Sequence, residues 1–242
     1  MRESPGNRPS EILPKSGVAI DRIASATNNV RSHFTMIELY TWSTPNGRKV
    51  SIMLEECGLA YNVHKINIGT NREQFAPDYL KINPNGKIPS IVDPDGPDGE
   101  PIAMMESGAI LIYLAGKAGK FLPRSIRDKY VALQWLMFQM GGVGPMFGQA
   151  HHFMRAKKDE ITYGSERYGK EAKRLYGVMD QHLSTHEYFA DEYSIADIAN
   201  YPWTARYEWH RVDLGEFPNV KRWYDALGKR AAVQRGMAVP QV

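Results

Sequence analysis

Two hydrophobic rhythms divide this chain. Between Ile37 and Leu114 the apolar positions come in short bursts separated by Pro, Gly, Asn and Asp, the punctuation of strands and turns. The pattern predicts a strand over Ile37 to Tyr40 and a helix over Gly47 to Cys57, with Val50, Ile52, Met53, Leu54 and Cys57 on its buried side. A second strand is expected over Val63 to Ile68. Ile88 to Val92 and Pro101 to Met104 flank Asp93-Pro94-Asp95-Gly96 and Pro97-Asp98-Gly99, a hairpin signature, and a helix starts at Ser107. Beyond Phe121-Leu122-Pro123 the rhythm changes. Lys129 to Met140, Thr162 to Leu183, Ile195 to Trp209 and Val220 to Lys229 repeat apolar residues at threes and fours, with no strand candidates between them. Ser194 followed by Asp197 reads as a capping box, with Tyr193 placed to staple onto Ile198, so a helix begins there for reasons of folding alone.

The order β-α-β, then β-β-α, suggests an α/β thioredoxin-like domain of about 80 residues, followed by an all-α domain. We place the first over residues 36–118 and the second over residues 124–236. Residues 1–35 keep no period and scatter Ser, Pro, Asn and Arg, so they read as a flexible arm without catalytic duty. A transit peptide, or a start at Met36, are the other readings of that segment.

Composition narrows the function classes. Of 242 residues, 43% are hydrophobic and 24% charged, which is ordinary for a soluble globular protein. The net charge is +3, and Arg2, Arg8, Lys15, Arg22 and Arg31 outnumber Glu3, Glu11 and Asp21 in the first 35 residues, so the remaining body is near neutral. That argues against a nucleic-acid surface, which needs a clustered basic face. The lone Cys57 excludes an intramolecular disulfide and a four-thiolate zinc site and suits a reducing compartment, so a cytoplasmic protein is expected. No apolar run approaches the roughly 20 residues that span a bilayer.

The candidate chemistry lies in Asn85-Gly86-Lys87-Ile88-Pro89-Ser90 and Glu106-Ser107-Gly108-Ala109-Ile110. An Ile-Pro bond tolerates the cis form, which leaves Ile88 backbone groups to pair with an extended ligand. Glu106 and Ser107 open an apolar helical run, so a carboxylate meets free backbone N–H groups and a hydroxyl there. A small peptide carrying an amine and a carboxylate fits both.

Those motifs, together with Met36-Ile37-Glu38-Leu39-Tyr40, Thr44-Pro45-Asn46-Gly47 and Gly141-Gly142-Val143-Gly144-Pro145-Met146 in the same order, resemble the glutathione transferase family. The bacterial nu-class branch, the disulfide-bond oxidoreductases, is the best match, and the likeness runs from about Met36 to about Arg230. The resemblance implies a thioredoxin-like domain plus an all-α domain, a homodimer, and glutathione as bound cosubstrate with no metal. It implies Thr44 and Asn46 at the glutathione sulfur, Gln74 near the glycyl end, and Lys87 adding charge complementarity. Ile88 would pair through its backbone, Glu106 and Ser107 would hold the γ-glutamyl amine and carboxylate, and Arg167 would reach the bound peptide.

The loop Trp42-Ser43-Thr44-Pro45-Asn46-Gly47 holds no thiol where thiol oxidoreductases of this fold carry a cysteine. The nucleophile must then arrive with the ligand. Thr44 and Asn46 would favour its thiolate, against the alternative of an ordinary turn with Thr44 as a cap. Ser43 is a rival hydroxyl, and Tyr40 reads as packing. Cys57, on the apolar helix face, reads as a small buried hydrophobe. His151-His152 point about 100° apart on a helix, and His182 with His186 lack a third ligand, so no metal is expected. Met137, Met140, Met146 and Met154 with Phe138, Phe147 and Phe153 read mainly as core, some lining a pocket beside a break at Gly141 to Pro145. The expected activity is reduction of small disulfides with glutathione. Conjugation of glutathione to electrophiles is the second reading, and a non-catalytic glutathione-binding regulatory domain the third.

Overall fold

Four short strands set the frame that carries the candidate residues. The computed structural model describes residues 36–156 and 160–242, and the arm expected over residues 1–35 lies outside them. β1 (Ile37–Thr41) is followed by helix α1 (Pro45–Cys57) and by β2 (Tyr61–Lys65), which lies parallel to β1. A short α2 (Pro77–Ile82) leads to β3 (Ser90–Asp93) and β4 (Ile102–Met105), both pairing antiparallel, and α3 (Ser107–Ala118) closes the unit. The sheet order is β2-β1-β3-β4, the mixed sheet expected of a thioredoxin-like half. Ile37, Leu39 and Thr41 alternate inward along β1.

β2 begins and ends earlier than expected. Its residues are half-buried or exposed at the sheet edge, so pairing with β1, Ile37 opposite Tyr61, sets its limits where the apolar pattern is weak.

The helical half contains α4 (Ile126–Phe138), α5 (Gly144–His151), α6 (Thr162–Leu183), α7 (Ile195–Thr204), α8 (Pro218–Gly228) and α9 (Ala231–Met237). The capping box at α7 is present, and Asp197 also accepts from Trp223 Nε1 at 2.8 Å and Phe189 N at 3.1 Å. The break expected at Gly141 to Pro145 is a correction: the chain stays helical there. A π-helical turn, Gln139–Val143, joins α4 to α5, and Pro145 is the second residue of α5. Helix α7 stops at Thr204, and a 3₁₀ turn over Tyr207–His210 replaces the rest of the expected span.

Both halves share one hydrophobic cluster, from Leu39, Ile52, Ile91 and Leu114 through Leu136 and Phe147 to Tyr176 and Trp223. α1 is its hinge piece, packing against α3, α7 and α9. The α9 contact is close: a Cβ on Gly236 would stand 2.4 Å from Ile52 Cα, and Ser51 Oγ donates to the Gly236 carbonyl at 2.7 Å.

Candidate functional site

The C-terminal ends of β1 and β4 and the N-terminal end of β3 lie together, because Tyr40 stands opposite Ser90 and Ser90 opposite Met105. Three segments with candidate chemistry therefore meet at one end of the sheet: Trp42 to Gly47, Lys87 to Pro89, and Glu106 with Ser107.

At the first, Thr44 has extended backbone and its Oγ1 accepts from Gly47 N at 3.1 Å, the N-cap of α1. The cap and the sulfur-binding role are compatible, since accepting leaves the hydroxyl proton to donate. Gly47 is required by close approach: a Cβ there would lie 2.4 Å from Thr41 Oγ1 and 2.5 Å from the Trp42 carbonyl. Asn46 Oδ1 accepts from Trp203 Nε1 of α7 at 2.9 Å. An indole nitrogen only donates, so this contact fixes the amide with its oxygen toward Trp203 and its Nδ2 hydrogens left to face a ligand. Ser43 Oγ accepts from Arg48 Nη2 at 3.1 Å.

In the middle segment, the Ile88-Pro89 bond is cis and Ile88 lies beyond the last ladder pair, Tyr40 with Ser90. The Lys87 carbonyl is held by Asn83 Nδ2 at 2.7 Å and by the Tyr79 hydroxyl, while the Lys87 side chain is exposed. Gln74 sits in a 3₁₀ turn, Glu73–Phe75, against Gly86, and its Oε1 is buried with no partner among the described residues. An orphaned acceptor of this kind suits a site that a donor from a ligand completes.

At the third, Glu106 is exposed and has φ 68° and ψ 108°, a conformation that costs a non-glycine residue roughly 1–3 kcal/mol. Ser107 is 5% exposed. Its Oγ accepts from Lys49 Nζ at 3.3 Å and donates toward Met140 Sδ at 3.7 Å. Lys49 is 1% exposed and also donates to Gln139 Oε1 at 2.6 Å. Burial pulls the Lys49 ammonium down to about 7, with Glu106 acting in the opposite direction.

Lys49, Gln139, Trp203, Asn83 and Tyr79 are the residues that reading the sequence missed. Only Lys49 left a signal: a cation at i−3 and i−4 from Ile52 and Met53 interrupts the apolar face of α1.

Other candidates fall elsewhere. Arg167 is exposed on α6, its Nη1 donating to Tyr163 of the same helix at 3.3 Å, and among the described residues no hydrogen bond or ion pair joins it to the sheet end. Tyr40 stacks on His64 at 4.6 Å, a packing contact. Cys57 is 8% exposed at the far end of α1, about 16 Å along the axis from Asn46, and burial pushes its thiol up to about 11. His151 stacks on Trp209 at 4.4 Å, and His182 on His186 at 4.2 Å. Among the described residues no three His, Cys, Asp or Glu side chains come together as a metal site. Met140 belongs to the floor under Ser107, whereas Met137 is 52% exposed.

The chain matches the family models for the glutathione S-transferase N-terminal domain over residues 44–117 and the C-terminal domain over residues 142–230. It belongs to the glutathione S-transferase family. Among curated relatives it is 45% identical to the disulfide-bond oxidoreductase YfcG of Escherichia coli strain K12, over 86% of this chain and 97% of that protein. It is 38% identical to the disulfide-bond oxidoreductase YghU of the same organism, over 84% and 74%. Among solved structures it resembles a glutathione transferase from Pseudomonas putida with one glutathione disulfide bound per subunit, at TM-score 0.83 and 44% identity, covering 93% of this chain and 98% of that one. A glutathione transferase from Burkholderia graminis with two glutathione molecules per subunit is similar at TM-score 0.82 and 42% identity, covering 95% and 98%.

Proposed function

We propose that this transferase-family protein binds glutathione across the sheet end and uses the glutathione thiolate to reduce small disulfides. The observation that carries the reading is the sulfur loop: it lacks a cysteine, yet presents the Thr44 hydroxyl and an Asn46 amide whose donor side is set by Trp203. The similarity to two disulfide-bond oxidoreductases, and to structures holding glutathione or its disulfide, supports the same reading.

In the reaction, Thr44 and Asn46 donate to the glutathione sulfur and favour its thiolate. The thiolate attacks one sulfur of a disulfide RSSR, forming the mixed disulfide and releasing RS⁻, which takes up a proton. A second glutathione thiolate attacks the glutathione sulfur of the mixed disulfide, giving glutathione disulfide and a second RSH. Two glutathiones are oxidised and one disulfide is reduced to two thiols. Gln74 binds the glycyl end, Ile88 pairs through its backbone, Lys87 adds positive charge, and Glu106 with Ser107 takes the γ-glutamyl amine and carboxylate. Arg167, which lies on α6 apart from the sheet end, is assigned to the bound peptide on the family resemblance alone. The protein works as a homodimer in the cytoplasm, the latter supported by a single cysteine. Among the described residues no helix is long and apolar enough to cross a membrane.

A coupled assay with glutathione and a small mixed disulfide, run beside aryl-halide conjugation, tests the reading. Disulfide turnover is expected to dominate. Conjugation without disulfide turnover would assign the same thiolate to electrophiles, and glutathione binding with neither activity would make the protein a regulatory domain.

A further inference from the structure

A second set of groups adjoins the sulfur loop, and the reaction above does not use it. Arg48 lies two residues past Asn46 on α1, and Arg206 lies three residues past Trp203, just beyond α7. The Trp203–Asn46 hydrogen bond ties these two segments together. The Arg48 guanidinium reaches Ser43 of the loop itself at 3.1 Å. Arg206 lies 3.8 Å from the centre of the Trp209 ring, and Arg155 lies 3.9 Å from the centre of a ring of the same residue. His151 stacks on that indole too, so α5, the turn after it and the segment after α7 converge there.

The cluster is positive. Among the described residues no carboxylate forms an ion pair with Arg48, Arg155 or Arg206. The Nε atoms of Arg48 and Arg206 are buried and have no partner among the described residues. Burial first, then the charges of Arg48 and Arg155, hold the Arg206 guanidinium down to about 10. His151 is likewise lowered by burial, then by Arg155, Arg206 and His152. Guanidiniums stay charged at neutral pH and match a carboxylate through paired N–H donors. An anion seated among them would pair with the guanidinium N–H groups that face outward and relieve the mutual repulsion of the three cations.

We propose that Arg48, Arg206 and Arg155 form an anion-recognition surface beside the sulfur loop, and that the preferred disulfide carries a carboxylate close to its sulfurs. This names the substrate class of the reaction proposed above and rests on that reading for its kinetic test. The chemistry that supplies such a substrate is oxidation of an acidic thiol.

The test compares 3,3′-dithiodipropionate, a dianion, with neutral bis(2-hydroxyethyl) disulfide at saturating glutathione. Wild type is expected to favour the dianion in kcat/KM by about tenfold, equivalent to ~1.4 kcal/mol. The preference should collapse in about 1 M salt, where the screening length is about 3 Å. In the R48Q/R206Q double variant the ratio of the two kcat/KM values should fall about tenfold, with R206K retaining part of it because charge survives without the planar fork. Should the double variant fold poorly by circular dichroism, R206Q alone is the variant compared. A ratio that is unchanged, or equal losses on both disulfides, overturns the proposal, the latter because it places the arginines on the sulfur.

Calorimetric titration with dithiodipropionate, in the presence of S-methylglutathione, reads the surface without turnover, and about tenfold weaker binding is expected in the double variant. If wild type turns over neither disulfide, the reductase reading fails and this titration alone decides the anion surface: unchanged binding overturns it, weakened binding upholds it.

Discussion

At the sulfur end of the proposed glutathione site, Thr44 and Asn46 stand on a half-buried turn whose geometry is mostly local, corrected by one distant indole. At the γ-glutamyl end, Glu106 is held at φ 68° next to Ser107, and the support beneath is a fully buried ammonium, Lys49, bound to Gln139 of the π turn. The first arrangement leaves donors free to act on a reacting atom. The second commits strain and a desolvated charge to holding the part of the proposed ligand that does not react. Groups at the two ends should therefore fail in different kinetic constants.

The largest expected effect is at the sulfur. Asn46→Ala should lower kcat/KM for disulfide reduction by about 100-fold, the scale of losing one aimed donor to a developing charge, while glutathione affinity by calorimetry changes little. Thr44→Ala should move the same way by less. Glu106→Ala should do the reverse, weakening glutathione binding by roughly 10- to 100-fold, since a hydrogen bond to a charged group contributes about 1.5–3 kcal/mol, with turnover of bound ligand retained. If all three variants lose affinity equally and keep their turnover, the contrast between the ends disappears.

Lys49 sharpens the comparison through pH. Its folded ammonium loses a proton near pH 7, whereas an unfolded lysine keeps one to about 10.4. Between those values the unfolded chain binds more protons, so unfolding free energy in this window gains a positive slope with pH. That contribution is absent in Lys49→Met, and denaturant titrations at several pH values measure it. Binding of S-methylglutathione, which has no thiol to titrate, should weaken in wild type as pH rises through about 7 and lose that step in Lys49→Met. An identical pH profile in the two proteins would detach Lys49 from the ligand.

Smaller effects follow. Trp203→Phe removes the donor that orients Asn46 but keeps most of the packing, so a several-fold fall in kcat/KM with little change in glutathione affinity is expected. A variant matching wild type in both constants would make that indole contact dispensable. Cys57→Ser should retain activity, with a stability loss of about 1–3 kcal/mol from an unpaired hydroxyl in an apolar site, read by chemical denaturation. A folded but inactive Cys57→Ser, with a glutathione adduct on the native protein by intact mass, would show an enzyme thiol at work.

Much of this was legible along the chain. Ser194 with Asp197 marked α7 and the apolar period over Thr162–Leu183 delimited α6 without error, whereas the helix expected over Gly47 to Cys57 begins two residues earlier, at Pro45 behind the Thr44 cap. The β2 edge strand was displaced and α9 was missed, because the first is set by its neighbour's hydrogen bonds and the second by small residues such as Gly236 that let it approach Ile52. What the sequence determined by itself were features whose cause lies within a turn or two: caps, alternation, the hairpin, the strand-to-helix turn without a thiol, and Glu106 with Ser107 at a helix start. Tertiary structure alone decided that Trp203 orients Asn46 across 157 positions, and that Lys49 reaches Gln139 across 90 to stand under Ser107. It alone also set Arg48 against Ser43 of the loop and brought Arg155 and Arg206 together over Trp209. Such pairings leave no periodic trace, because each depends on where whole helices dock rather than on the dihedral preferences of neighbouring residues.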